Sequence, residues 1–513
     1  MKSQRSIVFL IAWLIFYPFI AMESQDAGRE RSIFLPANDG HYRVVRDYIE
    51  DIPDSSYVHA PEEVYEAFRD IKFAIRIHWG VYSMWNVEAS WPFLDWPSEK
   101  KQEYNQLYKT FNPVNFNAQE WMDFFKRSGI QAFAFTAKHH DGFSMFHTRT
   151  KVVQRVNYLH PEQPIERCEL HYSMEETPFK RDIVGELCDA ARKNGIKIDL
   201  YFSHPDWYDA DFRPYNYHPL ATPSIQSNPN DYGNNYSNNR KTVLTTERTP
   251  EETGRLIARH REQLHELLTR YGPIDMICLD QWMGRDIWPQ MRETVKMMRQ
   301  WSPNTLFRAR GIGNYGDYYQ PEQFIPGAMQ ATEMPWMSIC LLGNQFAYDP
   351  DSSHYKGTQW IIHHLIECVA KGGSFMVCIG PDHTGLFHPE AIRQIEAVGQ
   401  WLAVNGAGIY ETRPYHVWQE GDVCFTRSKD NKTVYALTEK WPGQAMVIKS
   451  VKPVTDSQVY LLGYPEPLQW EYTEEGIKIQ IPQSLQAPGN RPCEYAWLFR
   501  FEKTISIQVK YGL

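Results

Sequence analysis

Five places in the chain set chemically capable side chains directly after a short apolar run. They are His78 and Trp79 in "HWG", Lys138, His139, His140 and Asp141 in "KHHDGF", and His204, Asp206 and Trp207 in "SHPDWYD"; Asp280 ends "IDMICLD" and Arg310 ends "TLFRAR". If the runs are strands of one barrel, their C-terminal ends line a single pocket. A lone strand-end histidine is more often a hydrogen-bonded structural group, but five coincident polar ends point to a site. Metal binding fits poorly, because adjacent His139 and His140 would point to opposite sides while the chain stays extended, and no HxH or HxxxH spacing occurs at these ends. A GxSxG nucleophile elbow is also missing. No metal and no cofactor are expected. Histidines, tryptophans, an arginine and carboxylates remain, a set suited to gripping a sugar ring by its hydroxyls and stacking on its apolar face.

The elements that must position these groups appear as an alternation. Strand-like runs fall at 72–77, 131–137, 196–203, 274–280, 305–310 and 374–380, with amphipathic helical runs between them. In "RDIVGELCDAARKNG", Ile183, Val184, Leu187, Cys188 and Ala191 make one apolar stripe, and Gly195 stands where a C-terminal cap belongs. Six or more such units, with no glycine-rich dinucleotide loop after the first strand, predict an α/β fold: a (β/α)8-like TIM-type barrel over residues 65–412. From 413 to 513 short β-type runs such as "DVCFTR", "TVYALTE" and "YAWLFRFE" alternate with Gly, Pro and Asn turns, which predicts a C-terminal β-sandwich domain. Residues 23–64 are a lead-in, and the Asn-, Pro- and Tyr-rich stretch between Asp209 and Pro250 reads as an insertion over the barrel mouth.

Composition narrows the function. The 513 residues carry a formal charge of −9 without a basic stripe, which argues against a nucleic-acid partner, while 14% aromatics with 17 tryptophans provide stacking surfaces. The start of the chain sets Lys2 and Arg5 before an apolar run from Ile7 to Met22, the pattern of a secretory signal peptide over 1–22. A secreted or periplasmic protein follows, with no stable membrane insertion after cleavage. The 8 cysteines are scattered from Cys168 to Cys493 without metal spacing and are expected to be buried thiols.

Several longer motifs carry a resemblance: "IHWGVYS" at 77–83, "FNPVNFNAQEWMDFFKRSGIQAFAFTAKHHDGF" at 111–143, "RDIVGELCDAARKNGIKIDLYFS" at 181–203, "GDYYQPEQFIP" at 316–326, and "VAKGGSFMVCIGPDHTG" followed by "GQWLAVNGAGIYETRP". In this order, over nearly all of residues 65–415, the chain resembles the α-L-fucosidases of glycoside hydrolase family 29. The resemblance implies a retaining exo-glycosidase acting on terminal α-L-fucosyl glycans, with Asp280 as nucleophile. For the acid/base it implies Glu322, 42 residues further on, with Glu333 in "ATEMPWM" as competitor; partial burial is expected to keep Glu322 protonated. It also implies sugar-hydroxyl contacts from His78, His139 and His140, and Arg310 beside the second carboxylate. Glu88 is the candidate for a hydroxyl-binding glutamate, although "VEASW" lacks the family's Glu-Trp pair. Tyr201 is expected beside the nucleophile or in the barrel core. His363 and His364, in a helical stretch, are expected to be structural.

Two departures bear on the sugar. Cys278 stands two residues before the nucleophile, where the family often has an aromatic, and Arg76 stands two before His78, where Phe is common. A guanidinium suits the hydroxymethyl of L-galactose better than the methyl of L-fucose. An α-L-galactosidase acting on galactan-type polysaccharide is therefore an alternative, unless Arg76 turns away to pair with a carboxylate such as Asp141. A catalytically inactive carbohydrate-binding homologue is the other alternative, disfavoured by Asp280 and the two candidate acids.

Overall fold

The computed structural model describes residues 48–227, 242–327 and 334–504. The expected leader at 1–22 and the competitor Glu333 lie outside the described residues. Seven parallel strands form the central sheet: β1 Phe73–Ile77, β2 Ala132–Lys138, β3 Lys197–Ser203, β4 Met276–Asp280, β5 Leu306–Phe307, β6 Met337–Leu341 and β7 Ser374–Ile379. Their order is β6-β7-β1-β2-β3-β4-β5, which leaves β5 and β6 as the edges of a curled sheet.

Residues 318–323 fill that seam without forming a regular strand. Ala309 N donates to Tyr318 O (3.0 Å) on one side, and Met337 N and Ile339 N donate to Tyr319 O (3.0 Å) and Pro321 O (2.9 Å) on the other. The ring of backbone hydrogen bonds is thereby closed, and among the described residues both edges of this sheet have a neighbour.

Period-two alternation sorts the strand side chains. Phe73, Ile75, Ile77, Phe133, Phe135, Ile198, Leu200, Ile277 and Leu279 face outward into the helix layer. Ala74, Ala134, Met276, Leu306, Ile339 and Met376 face inward and fill the lower barrel, joined by Tyr65 and Phe68 of helix α1 Glu62–Asp70, which plugs the end where the strands begin. The outer layer contains α2 Ala118–Arg127, α3 Ile183–Asn194, α4 Pro250–Thr269, α5 Trp288–Trp301, α6 Thr358–Ala370 and α7 Pro389–Asn405. Helix α3 buries the expected stripe; Asp182 caps it by accepting from Gly185 N (3.0 Å), and Gly195 ends it at φ 69°, a left-handed position that a β-carbon disfavours. In α4 a capping box joins Thr249 and Glu252.

The C-terminal part is built of β8 Arg413–Glu420, β9 Val423–Arg427, β10 Val434–Thr438, β11 Ala445–Ile448, β12 Val459–Leu461, β13 Trp470–Thr473, β14 Gly476–Gln480 and β15 Trp497–Phe501. They form an antiparallel sheet β8-β9-β10-β15-β12 and a second sheet β11-β14-β13. Phe425, Met446, Ile448, Leu461, Ile479 and Phe499 share one core between them. Arg413 ties this part to the barrel plug, its Nη1 donating to Asp70 (2.8 Å) and its Nη2 to Glu66 (2.5 Å).

A hairpin, Val152–Val156 against Ile165–Leu170, has no counterpart in the expectations. Of the stretch between Asp209 and Pro250, the described parts pair Leu220–Ala221 with Val243–Leu244 and bring Asn216 to the barrel mouth, where its Nδ2 donates to Gln281 Oε1 (3.0 Å). All 8 cysteines are free; Cys168 and Cys493 are half-buried and the others buried. Among the described residues no helix is long and apolar enough to cross a membrane.

Candidate active site

The inward alternation that fills the lower barrel with apolar groups continues upward and puts His78, Tyr201, Asp280 and Arg310 in the top layer, above Arg76, Asp199, Cys278 and Arg308. Asp280 is 5% exposed. Its Oδ1 accepts from Arg310 Nη1 at 2.7 Å, and its Oδ2 accepts from the Tyr201 hydroxyl at 2.6 Å. Arg308 Nη1 lies 3.6 Å from Oδ1 and His140 Nε2 lies 3.5 Å from Oδ2. Burial alone would raise the Asp280 pKa, but Arg310, His140 and Arg308 together hold it well below the usual carboxylate range. This carboxylate is ionised and aimed.

Glu322 sits on the seam segment. Arg310 Nη1 donates to its Oε1 at 3.0 Å and Arg308 Nη2 donates to the same oxygen at 3.1 Å. One nitrogen of Arg310 therefore touches both acids, and Asp280 Oδ1 and Glu322 Oε1 are no more than about 5.7 Å apart. Retaining glycosidases separate their carboxyls by about 5–5.5 Å and inverting ones by about 6.5–9.5 Å. The residue after each acid is a glutamine in left-handed conformation, Gln281 at φ 63° and Gln323 at φ 65°. Such a backbone costs a non-glycine residue about 1–2 kcal/mol and turns the chain sharply away from each carboxylate.

Three histidines stand beside the pair. The ring centroids of His78 and His139 are 4.7 Å apart and those of His139 and His140 are 4.3 Å apart. Burial above all keeps the pKa of each below the ordinary histidine value, so all three are neutral near pH 7. Tyr82 Oη bonds His78 Nδ1 (2.6 Å) and Ser90 Oγ bonds His139 Nδ1, which orients both rings. His140 makes no well-formed hydrogen bond with the described residues. It lies between Trp91, at 4.7 Å, and Trp207, at 5.0 Å, and Tyr217 extends the aromatic wall 5.7 Å from Trp91.

The remaining expected residues are distributed around this centre. Glu88 is engaged with backbone: its Oε2 accepts from Phe346 N (2.7 Å), and burial, with Asp349 and Glu322 adding to it, pushes its pKa up to about 7. Ser90, two residues further on, is the residue of this turn that bonds His139. Arg76 is buried and does not reach Asp141, which instead accepts from the Tyr104 hydroxyl (2.5 Å) and Phe143 N (3.2 Å). Its guanidinium lies 4.2 Å over the Tyr201 ring, with Nη1 3.5 Å from Cys278 Sγ. Lys138 points away toward Asp206 (3.7 Å) and Gln263 (3.3 Å). His204 stands behind the nucleophile: its N donates to Asp280 O (3.0 Å) while its ring pairs with His260 (2.9 Å). His363 and His364 lie on α6, where His363 bonds Glu439 (3.1 Å) and Tyr495 O (3.2 Å) and His364 bonds Trp360 O (2.9 Å).

Sequence reasoning missed Arg308, Ser90, Tyr82 and Trp91. Arg308 was detectable, because two residues before Arg310 on one strand means the same face. Ser90 and Trp91 lie in a short 3-10 turn region without periodicity, and nothing local distinguishes them.

Family models match most of the chain: one described as "Alpha-L-fucosidase" over residues 53–407 and one as "Alpha-L-fucosidase C-terminal domain" over 417–502. Among curated proteins, the chain is 26% identical to the tissue α-L-fucosidase of Bos taurus over 469 residues, 84% of this chain and 87% of the bovine protein. It is 27% identical to the plasma α-L-fucosidase of Homo sapiens over 475 residues, 85% of this chain and 90% of the human protein. Solved structures share the fold. A bacterial fucosidase with a monovalent iminocyclitol inhibitor superposes with a TM-score of 0.69 at 22% identity, covering 89% of this chain and 99% of its own. A GH29 α-L-fucosidase from Bacteroides thetaiotaomicron, described as a trapped covalent intermediate, gives 0.67 at 21% identity, covering 88% and 99%.

Proposed function

Because the chain belongs to the α-L-fucosidase family and is a glycoside hydrolase, we propose that it is a retaining exo-α-L-fucosidase that releases terminal α-L-fucose from glycans by double displacement. Asp280 attacks the anomeric carbon, and Glu322 protonates the departing oxygen and later deprotonates water. One observation carries this reading: a single guanidinium nitrogen of Arg310 lies 2.7 Å from Asp280 and 3.0 Å from Glu322, which brings an oxygen of each carboxyl within about 5.7 Å of the other, nearer the separation of retaining than of inverting sites. Arg310 and Arg308 both donate to Oε1 of Glu322, which fixes the carboxyl at the side of the nucleophile. His78, His139 and His140, neutral and close together, hold ring hydroxyls, and Trp91 and Tyr217 offer an aromatic wall to the sugar or its aglycone. The catalytic barrel is assigned to 65–412 and the β-sandwich domain to 413–513. The charged and apolar leader at 1–22 supports export, to the medium or the periplasm.

Arg76 supports a second reading of the sugar. Its guanidinium lies beside Tyr201, which bonds the nucleophile, and its Nε has no partner among the described residues. It can donate to the hydroxymethyl of an α-L-galactoside, whereas a methyl leaves it unsatisfied. Hydrolysis of aryl α-L-fucoside and aryl α-L-galactoside by wild type and Arg76→Phe decides between them. Turnover of neither glycoside refutes the glycosidase reading, and a fucoside preference that Arg76→Phe leaves unchanged eliminates the galactosidase.

A further inference from the structure

Resting on that functional reading, we propose that Arg308 is a positioning residue for both half-reactions: with Arg310 it forms a fixed double guanidinium clamp across which one negative charge passes between Asp280 and Glu322. Arg308 is fully buried. Its Nη2 bonds Glu322 Oε1 at 3.1 Å and its Nη1 lies 3.6 Å from Asp280 Oδ1. It is held from below, Nη1 bonding Cys278 Sγ at 3.2 Å and Nη2 lying 3.4 Å from Gln320 O. Its place is therefore set by the protein and not by the sugar.

The charge balance explains why such a group is useful. In the first half-reaction an Asp280 oxygen bonds the anomeric carbon as the glycosidic C–O bond breaks, and the Glu322 proton goes to the departing oxygen. Asp280 loses its charge as Glu322 gains one. In the second, water adds to the anomeric carbon, its proton returns to Glu322, and Asp280 leaves as carboxylate. Throughout, the clamp faces one carboxylate, which moves by a few ångströms between two oxygens that both guanidinium groups already address. No cation has to move, so little reorganisation accompanies the charge shift.

Other charged groups surround the clamp. From β3 and the end of β2, Tyr201 and His140 face Asp280, with His78, His139 and His204 nearby as neutral rings. Glu88 is close enough for Glu322 to help raise its pKa. Arg308 also faces Asp199, whose carboxyl burial raises to about 7, together with Arg76 and Tyr318. Arg308 is the group among these that contacts both acids from beneath.

The test is the pH profile of kcat/KM on an aryl α-L-fucoside for wild type, Arg308→Gln and Arg308→Lys. An opposite charge at this range lowers a carboxyl pKa by about 1–3 units. Removing it in Arg308→Gln is expected to move both the acid and the basic limb upward by about 1 unit, with Arg308→Lys in between. A role confined to packing would lower kcat and leave the limbs in place. Folding of both variants is checked by near-UV circular dichroism. Limbs unmoved in Arg308→Gln overturn the clamp, as does a shift of only one limb or a shift in Arg308→Lys as large as in Arg308→Gln. Lack of wild-type turnover overturns the functional reading, whereas unmoved limbs with turnover intact overturn the clamp alone.

Discussion

Replacing Glu322 by glutamine isolates proton donation from binding. The amide keeps an oxygen for Arg310 and Arg308, now 3.0 and 3.1 Å from Oε1, so the clamp stays filled. Only the transferable proton is lost. General acid catalysis is worth about 10²–10⁴-fold, or about 2.7–5.4 kcal/mol of barrier at 1.36 kcal/mol per tenfold. That contribution matters only when the departing oxygen is basic. A dinitrophenyl α-L-fucoside should keep kcat/KM within about tenfold of wild type, and a methyl or oligosaccharide α-L-fucoside should lose about 100-fold or more. Glu333→Gln is the control and should spare both substrates. Stopped assays with the two leaving groups on all three enzymes make the measurement. Equal losses on both substrates would refute Glu322 as the acid, and the leaving-group pattern appearing in Glu333→Gln would transfer the role.

Asp280→Gly should abolish turnover of aryl fucoside and recover it in azide, and retention of even a tenth of wild-type kcat would remove Asp280 as nucleophile. Tyr201→Phe deletes the 2.6 Å hydrogen bond to Asp280 but keeps the ring under Arg76. Asp280 is held below its usual pKa, so losing a donor raises it, and the acid limb of kcat/KM should rise by about 1–2 units, the equivalent of a charged hydrogen bond of about 1.5–3 kcal/mol. Ser90→Ala frees His139 to rotate and should raise KM about five- to tenfold, the worth of about 1 kcal/mol, with circular dichroism unchanged. Asp182→Ala removes the α3 cap along with its bonds from Gly185 N (3.0 Å) and the Tyr271 hydroxyl (2.8 Å), and should cost about 1–2 kcal/mol in denaturant unfolding without changing the pH profile.

The regular strands and their polar ends were legible because two periodicities agree: alternation along each strand and apolar stripes such as Ile183 to Ala191 between them. That logic locates His78, His139, Asp280 and Arg310 from sequence. It says nothing of the seam at 318–323, where Tyr318, Tyr319 and Gln320 are fixed by neighbours on either side and not by their own pattern. Glu322 was reached through a family resemblance for this reason. Ser90 illustrates the same limit from the side of chemistry: a serine in an irregular turn becomes informative only once His139, 49 positions away in sequence, is seen bonded to it. Arg76 could be placed on the inward face but not given a partner, since the choice between Asp141 and Cys278 depends on Tyr104 having already bound Asp141.

Closure of the barrel also sets a schedule for synthesis. Strand β1 pairs with β7, Phe73 opposite Phe375 and Ile77 opposite Ile379, about 300 residues later. At a ribosomal rate of about 5–20 residues per second, β1 emerges roughly 15–60 s before that partner exists. During this interval β2 can cover one edge of "FAIRI" while the other stays open, an apolar strand that invites pairing with a neighbouring nascent chain. Arg76 puts a charge on the face of that strand which will become the barrel interior, the kind of inward-pointing charge that discourages such pairing. A chain stopped short of residue 374 never covers this edge, so truncated products of this gene should collect in the insoluble fraction even though most of the pocket residues have already been made.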